Sequence, residues 1–398
     1  MLLKERAQPI EKPLAQAAVV QTQRLFYIDH LRAALVALVV LHHVALVYGA
    51  GAPFYYVEPP LNNPLAYLAL LVFVLFNQAW FMGALFLLAG YFTPGSFDKK
   101  GPGYFLKGRL FRLGIPLLIF YFVLGPLSST GYWQMPASLT GITTPLTWGT
   151  YPFLLGMGPL WFVALLLIFD FGYAAWRMLT RNRTSTPAGE SSAPGVLTIG
   201  VFVLALALAN YLVRFVIPMG KDVLGFPTLS YLPQYLSFFM LGALASRHNW
   251  LRTLPRWLGV AGIVTALLAG VFLFPLALSG SLFSLALSEP AGFVGNGTWQ
   301  SAVYALWDSI FAVGLCLGAL TFFRRFFNGN SGLGRFLSRQ SYAVYIIHTP
   351  IVVFIAIALK GISLAPLLKF GLVAIIAVPI CFVAAFIVRR IPAVSRIV

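Results

Sequence analysis

Charge is scarce in this chain. Of 398 residues only 9% are charged and only 10 are acidic, where a soluble domain carries about a quarter charged residues. With 60% apolar residues, that scarcity excludes an ordinary water-soluble globule. Cysteine is scarcer still: Cys316 and Cys381 both sit inside apolar runs, which implies small packing residues and no disulfide framework. The five histidines, His30, His42, His43, His248 and His348, are scattered over distant segments, so no metal site is expected. There is no HExxH, P-loop or GxSxG motif, so the chemistries those motifs mark have no sequence support here. Residues 1–23 lack the apolar core of a signal peptide and are expected to form a short cytoplasmic tail. Neither an internal repeat nor a second, soluble domain is visible.

What the chain has in abundance is apolar runs of about 20 residues, the length that crosses a hydrocarbon core as a helix. Ten spans are expected, near 30–50, 65–92, 112–127, 157–178, 196–217, 229–246, 257–278, 299–323, 341–359 and 364–388. The expected fold is an all-α polytopic membrane helical bundle. Its transmembrane domain covers 24–388, with tails at 1–23 and 389–398.

The net charge of +17 at first suggests a nucleic-acid partner, but its placement argues otherwise. All of the 27 Lys and Arg residues except Arg214, Lys221, Lys360 and Lys369 fall within residues 1–32, 96–112, 177–195, 246–256, 324–339 and 389–398. These are alternate connections, so the positive-inside rule puts them, and both termini, in the cytoplasm. The basicity then reports topology and contact with anionic lipid headgroups, with no nucleic acid involved. The opposite connections, 125–158 and 280–299, carry aromatics such as Tyr132, Trp133, Trp148 and Tyr151. Those form either an interfacial belt or an outer substrate-binding surface. Residues 184–195, TSTPAGESSAPG, read as a flexible polar linker.

Residues 24–48, RLFYIDHLRAALVALVVLHHVALVY, carry the sharpest signal. Eleven steps from Arg32 to His43 correspond to about 16 Å of helix, roughly half of a ~30 Å hydrocarbon core. An ionisable side chain at that depth is costly and marks a functional site, unless it is a polar residue satisfied between helices. His42 and His43 differ by about 100° around the helix, so only one faces a given site. Between the second and third spans stands FDKKGPGYFLKGRLFRLGIP. There Arg109 and Arg112 share a face and either grip phosphate or snorkel as a basic helix end. Asp170 and Asp308 each need a partner; either could pair with Arg214 or accept the ring N–H of His43.

Several motifs, in order, resemble the membrane acyltransferase-3 family: Asp29-x-Leu31-Arg32, the ten-residue gap between Arg32 and His43, Arg109-Leu-Phe-Arg112, Leu160-Trp161-Phe162, and Ser341-Tyr342-x-x-Tyr345-x-x-His348-x-Pro350. Residues 231–245 together with 109–116 resemble the subgroup that includes periplasmic glucan succinyltransferases. The chain departs from the pattern at Ala89-Gly90, often Ser-Gly in the family, and at His30, where a small residue is usual.

The resemblance implies a multi-pass enzyme of the cell membrane, bacterial and cytoplasmic by expectation. It would move an acyl group from cytoplasmic acyl-CoA, acetyl-CoA or succinyl-CoA, to a hydroxyl of a carbohydrate or other envelope acceptor, as in polysaccharide O-acetylation. It gives His43 the role of general base. Arg109 and Arg112, helped by Arg32, would hold the CoA phosphates. Asp29 would orient Arg32, while His42, Trp161, Tyr345, His348 and Asp308 would support the site. A proton-coupled transporter or exporter using the intramembrane His, Asp and Arg side chains is the alternative; a non-catalytic scaffold has no use for a histidine at that depth.

Overall fold

The computed structural model describes residues 25–51, 54–58, 63–180, 192–279 and 292–398. The expected tail 1–23 and most of both the 184–195 linker and the 280–299 connection lie outside them. Ten helices organise the described chain: α1 Phe26–Val47, α2 Pro64–Gln78, α3 Phe81–Arg109, α4 Trp161–Leu179, α5 Val196–Val216, α6 Leu232–Arg247, α7 Arg256–Ala277, α8 Trp299–Phe326, α9 Gly332–Ala358 and α10 Pro366–Val388. Among the described residues the β-structure amounts to a bridge between Val223 and Phe226. Helix is what lipid demands, because every backbone group must find its partner within the segment.

The helix starts follow local chemistry. Asn63 caps α2 by accepting from the Ala66 N–H, with Pro64 in the first turn, where its missing N–H costs nothing. Thr298 and Ser331 cap α8 and α9 in the same way. Between α3 and α4, residues 110–129 alternate α- and π-helical turns.

Eight helical stretches among the described residues are long and apolar enough to cross a membrane. The protein is therefore polytopic. Two of the ten expected spans merge, because Pro64–Gln134 is helical nearly throughout. It nevertheless folds back at Gly101, whose φ of 72° interrupts the helix. Arg109 lies 3.2 Å from Thr93, although a straight helix would separate sixteen residues by about 24 Å. The other difference is α6, at 16 residues shorter than its neighbours.

Close helix packing rests on glycine. A Cβ at Gly90 would lie 2.0 Å from the Phe239 carbonyl oxygen, and one at Gly242 would lie 2.0 Å from that of Leu87. The backbones of α3 and α6 thus touch, as small residues allow inside membranes. His30 is accommodated in a related way: its Nε2 stands 2.1 Å from where a Cβ on Gly334 would be.

Helices α1 and α9 run parallel, side by side. Arg32 of α1 reaches the Ser338 carbonyl at 3.4 Å, and His43 meets His348 at 3.1 Å. Eleven residues on one helix match ten on the other, so both contacts lie along one seam about 15 Å long.

Candidate active site

The seam carries the two histidines that face each other. His348 is fully buried, and its Nδ1 lies 2.7 Å from the Tyr345 carbonyl. A carbonyl only accepts, so Nδ1 holds the proton and the neutral ring presents a lone pair at Nε2. That Nε2 faces His43 Nδ1, which also lies 2.8 Å from the Val39 carbonyl. Both acceptors want the same proton, so His43 Nδ1–H is shared between them. The consequence is a lone pair on His43 Nε2, the atom a general base needs. The His43 ring is partly exposed and is flanked by His348 and Phe54, with ring centroids at 4.8 and 5.1 Å.

His42 is turned away. It stacks on Phe81, and its Nδ1 stands 3.4 Å from the Asn77 amide nitrogen. The 100° step between the two rings separates them as the helical period predicts.

At the far end of the seam, Arg32 pairs with Asp29 at 3.1 Å. Arg109 and Arg112 part company. The Arg109 Nε lies 3.1 Å from the Asp170 carboxylate, whose side chain is fully buried. Thr93 bridges them, donating to Asp170 at 3.1 Å and accepting from Arg109. Arg112 is exposed. Its backbone carbonyl, rather than its guanidinium, is held by the Tyr342 hydroxyl at 2.6 Å. On α9 the sequence Ser338, Tyr342, Tyr345, His348 thus links Arg32, the 110–129 segment and His43 along roughly one face.

Comparison with known proteins bears on what such a seam does. The model of the acyltransferase-3 family, described as an acyltransferase domain, matches residues 25–386. The chain belongs to this family. It is a multi-pass membrane protein. It is also similar to "Glucans biosynthesis protein C" of Salmonella typhi and of Salmonella typhimurium, at 26% identity over 245 residues in each case. That alignment covers 58% of this chain and 60% of those relatives.

Other residues expected to support the acyltransferase site are placed differently. Asp308 forms a fully buried ion pair with Arg214, one of the two partners the sequence left open for it. Asn210 and Ser309 add hydrogen bonds to its Oδ1, and Tyr231 and Tyr304 lie against the Arg214 guanidinium at 4.8 and 5.3 Å. The carboxylate is thereby spent on structure, and Asp170 likewise on Arg109. At His43 a neutral imidazole and a carbonyl take the orienting place that the sequence left open to an Asp.

Tyr345 donates to the Pro159 carbonyl and meets Phe162 edge-on, which ties the start of α4 to the seam. Trp161 stacks on Tyr235 at 5.5 Å, and Gln78 donates to the Tyr235 hydroxyl at 2.9 Å. Phe54 was missed by sequence reasoning. It lies in an irregular connection, where no periodicity signals which ring turns inward. Among the described residues no group of three or more His, Cys, Asp or Glu side chains is placed to hold a metal ion.

Proposed function

We propose that this acyltransferase moves an acyl group from cytoplasmic acyl-CoA, acetyl-CoA or succinyl-CoA, to a hydroxyl of a carbohydrate acceptor on the other side of the bacterial cytoplasmic membrane. His43 Nε2 takes the proton from the acceptor hydroxyl. The freed oxygen attacks the thioester carbonyl; the acyl–sulfur bond breaks, an acyl–oxygen bond forms, and the proton passes to the departing CoA thiolate. His348 and the Val39 carbonyl hold the His43 tautomer that makes this possible. Arg32 and the exposed Arg112 supply the charge for the CoA phosphates, while Arg109 is already committed to Asp170.

The single observation that carries the reading is the pair of acceptors at His43 Nδ1, the Val39 carbonyl at 2.8 Å and His348 Nε2 at 3.1 Å, from which the free lone pair on Nε2 follows. That lone pair stands about 16 Å along α1 from Arg32. A pantetheine arm spans that distance with its nucleotide at the basic end. The name of the Salmonella relatives supports a glucan as the acceptor class. The test is CoA release by the purified protein from acetyl-CoA and from succinyl-CoA, each with and without a glucan oligosaccharide. Release that depends on one donor and is stimulated by the glucan is expected. No release and no CoA binding in any arm contradicts the proposal.

A further inference from the structure

We propose that Phe54 is the acceptor-side wall of this site: it decides whether the acyl group goes to an ordered hydroxyl or to water. The inference rests on the acyl transfer through His43 proposed above. Phe54 is 6% exposed, and its ring lies 5.1 Å from that of His43. With His348 on another side of the imidazole, Phe54 covers a side of the ring that a hydroxyl or a water would otherwise reach.

Residues 54–58 are not helical, yet they are held at several points. The Glu58 N–H donates to the Val47 carbonyl at 2.8 Å. The Val57 N–H donates to the Met135 sulfur at 3.0 Å. Lys369 pairs with the Glu58 carboxylate and donates to the Lys360 carbonyl at 3.3 Å. The paired side chains are only 3% and 11% exposed. Hiding two charges costs desolvation, a cost with no evident return in a mere connection but a clear one where a ring must be held in place. Two glycines press on Tyr55: a Cβ at Gly131 would lie 2.5 Å from its carbonyl oxygen, and one at Gly158 would lie 2.2 Å from its hydroxyl. Tyr132 follows at 6.0 Å from the Tyr55 ring. The rings of His43, Phe54, Tyr55 and Tyr132 therefore contact one another in succession. Such a run of rings makes an apolar lining that a sugar's C–H groups can pack against and that holds a lone water poorly.

Water and an acceptor hydroxyl compete for the same step. Attack by the hydroxyl gives an ester and free CoA; attack by water gives the free acid and free CoA. The experiment measures the ratio of acid to ester from acyl-CoA and a glucan oligosaccharide, for the full-length protein in detergent. Phe54→Ala is expected to raise that ratio roughly five- to tenfold, whatever its effect on total CoA release, the size set by one lost aromatic contact. Phe54→Tyr should restore the native ratio. Glu58→Gln, which keeps the Phe54 ring but removes the charge opposite Lys369 that holds its segment, should raise it in the same direction. A purely structural role would lower both products together and leave the ratio unmoved. If Phe54→Ala does not give a monodisperse protein, Phe54→Leu carries the same test. An unchanged ratio in a variant that still releases CoA overturns the wall, whereas absence of CoA release from the unaltered protein overturns the acyl-transfer reading beneath it.

Discussion

Replacing His348 with leucine separates the orienting role from the basic one. The variant keeps most of the volume and removes the acceptor at 3.1 Å from His43 Nδ1. The Val39 carbonyl, closer at 2.8 Å, still holds the proton, so the His43 tautomer survives with one acceptor instead of two. A neutral hydrogen bond contributes about 0.5–1.5 kcal/mol net, and each ~1.4 kcal/mol is tenfold in rate. The expected loss in kcat/KM is therefore about two- to about twelvefold, measured as CoA release with a thiol-reactive dye. His348→Gln, with an amide oxygen able to accept, should recover part of it. In a His43→Ala background, His348→Leu should do nothing more, because the two act as one unit. A loss of about a thousandfold or more from His348→Leu alone would refute this reasoning and make His348 the base.

The arginines should divide. Arg109→Ala strands the fully buried Asp170 carboxylate and should lower stability by about 3 kcal/mol, the low end for breaking such a pair because Arg109 is partly exposed; a melting curve in detergent reads it. Arg112→Ala should leave that curve in place and weaken CoA binding. Gly242→Ala puts a carbon 2.0 Å from the Leu87 carbonyl oxygen, so α3 and α6 must separate; a fall in stability of about 1–3 kcal/mol is expected, visible in the same melt. Burial pushes the Tyr56 phenol up to about 12. Between pH ~10, where an unfolded tyrosine ionises, and that value, the folded protein holds a proton that the unfolded chain has lost. Stability should therefore fall with rising pH across that window, and Tyr56→Phe should flatten the fall.

Spacing made much of this legible in the sequence. Apolar runs located the helices, and the gap between Arg32 and His43 fixed the length of the seam before α9 was known to line it. The i, i+3 pairing of Asp29 with Arg32 is local and was readable for that reason. What failed to read was everything set by helices meeting from far apart in the chain. Arg109 and Arg112 share a face in sequence, yet only tertiary packing reveals that Asp170, 61 positions later, has already claimed one of them. Asp308 had two candidate partners, and nothing local prefers Arg214 to His43. The return of the chain at Gly101 coincides with a local Gly101-Pro102-Gly103 sequence of the kind that turns a backbone. The merging of helix on both sides of it was not visible, because helical backbone resumes one residue later. Phe54 carried no signal, since its neighbours show neither a 3.6-residue nor a 2-residue period.

The account stands or falls on the His43 Nε2 lone pair. The direct measurement is CoA release by His43→Ala in the purified protein, alongside CoA binding. The predicted result is a fall in turnover of about 10²–10⁴, the usual contribution of a general base, with CoA affinity unchanged. Turnover within a few-fold of the unaltered protein would contradict it.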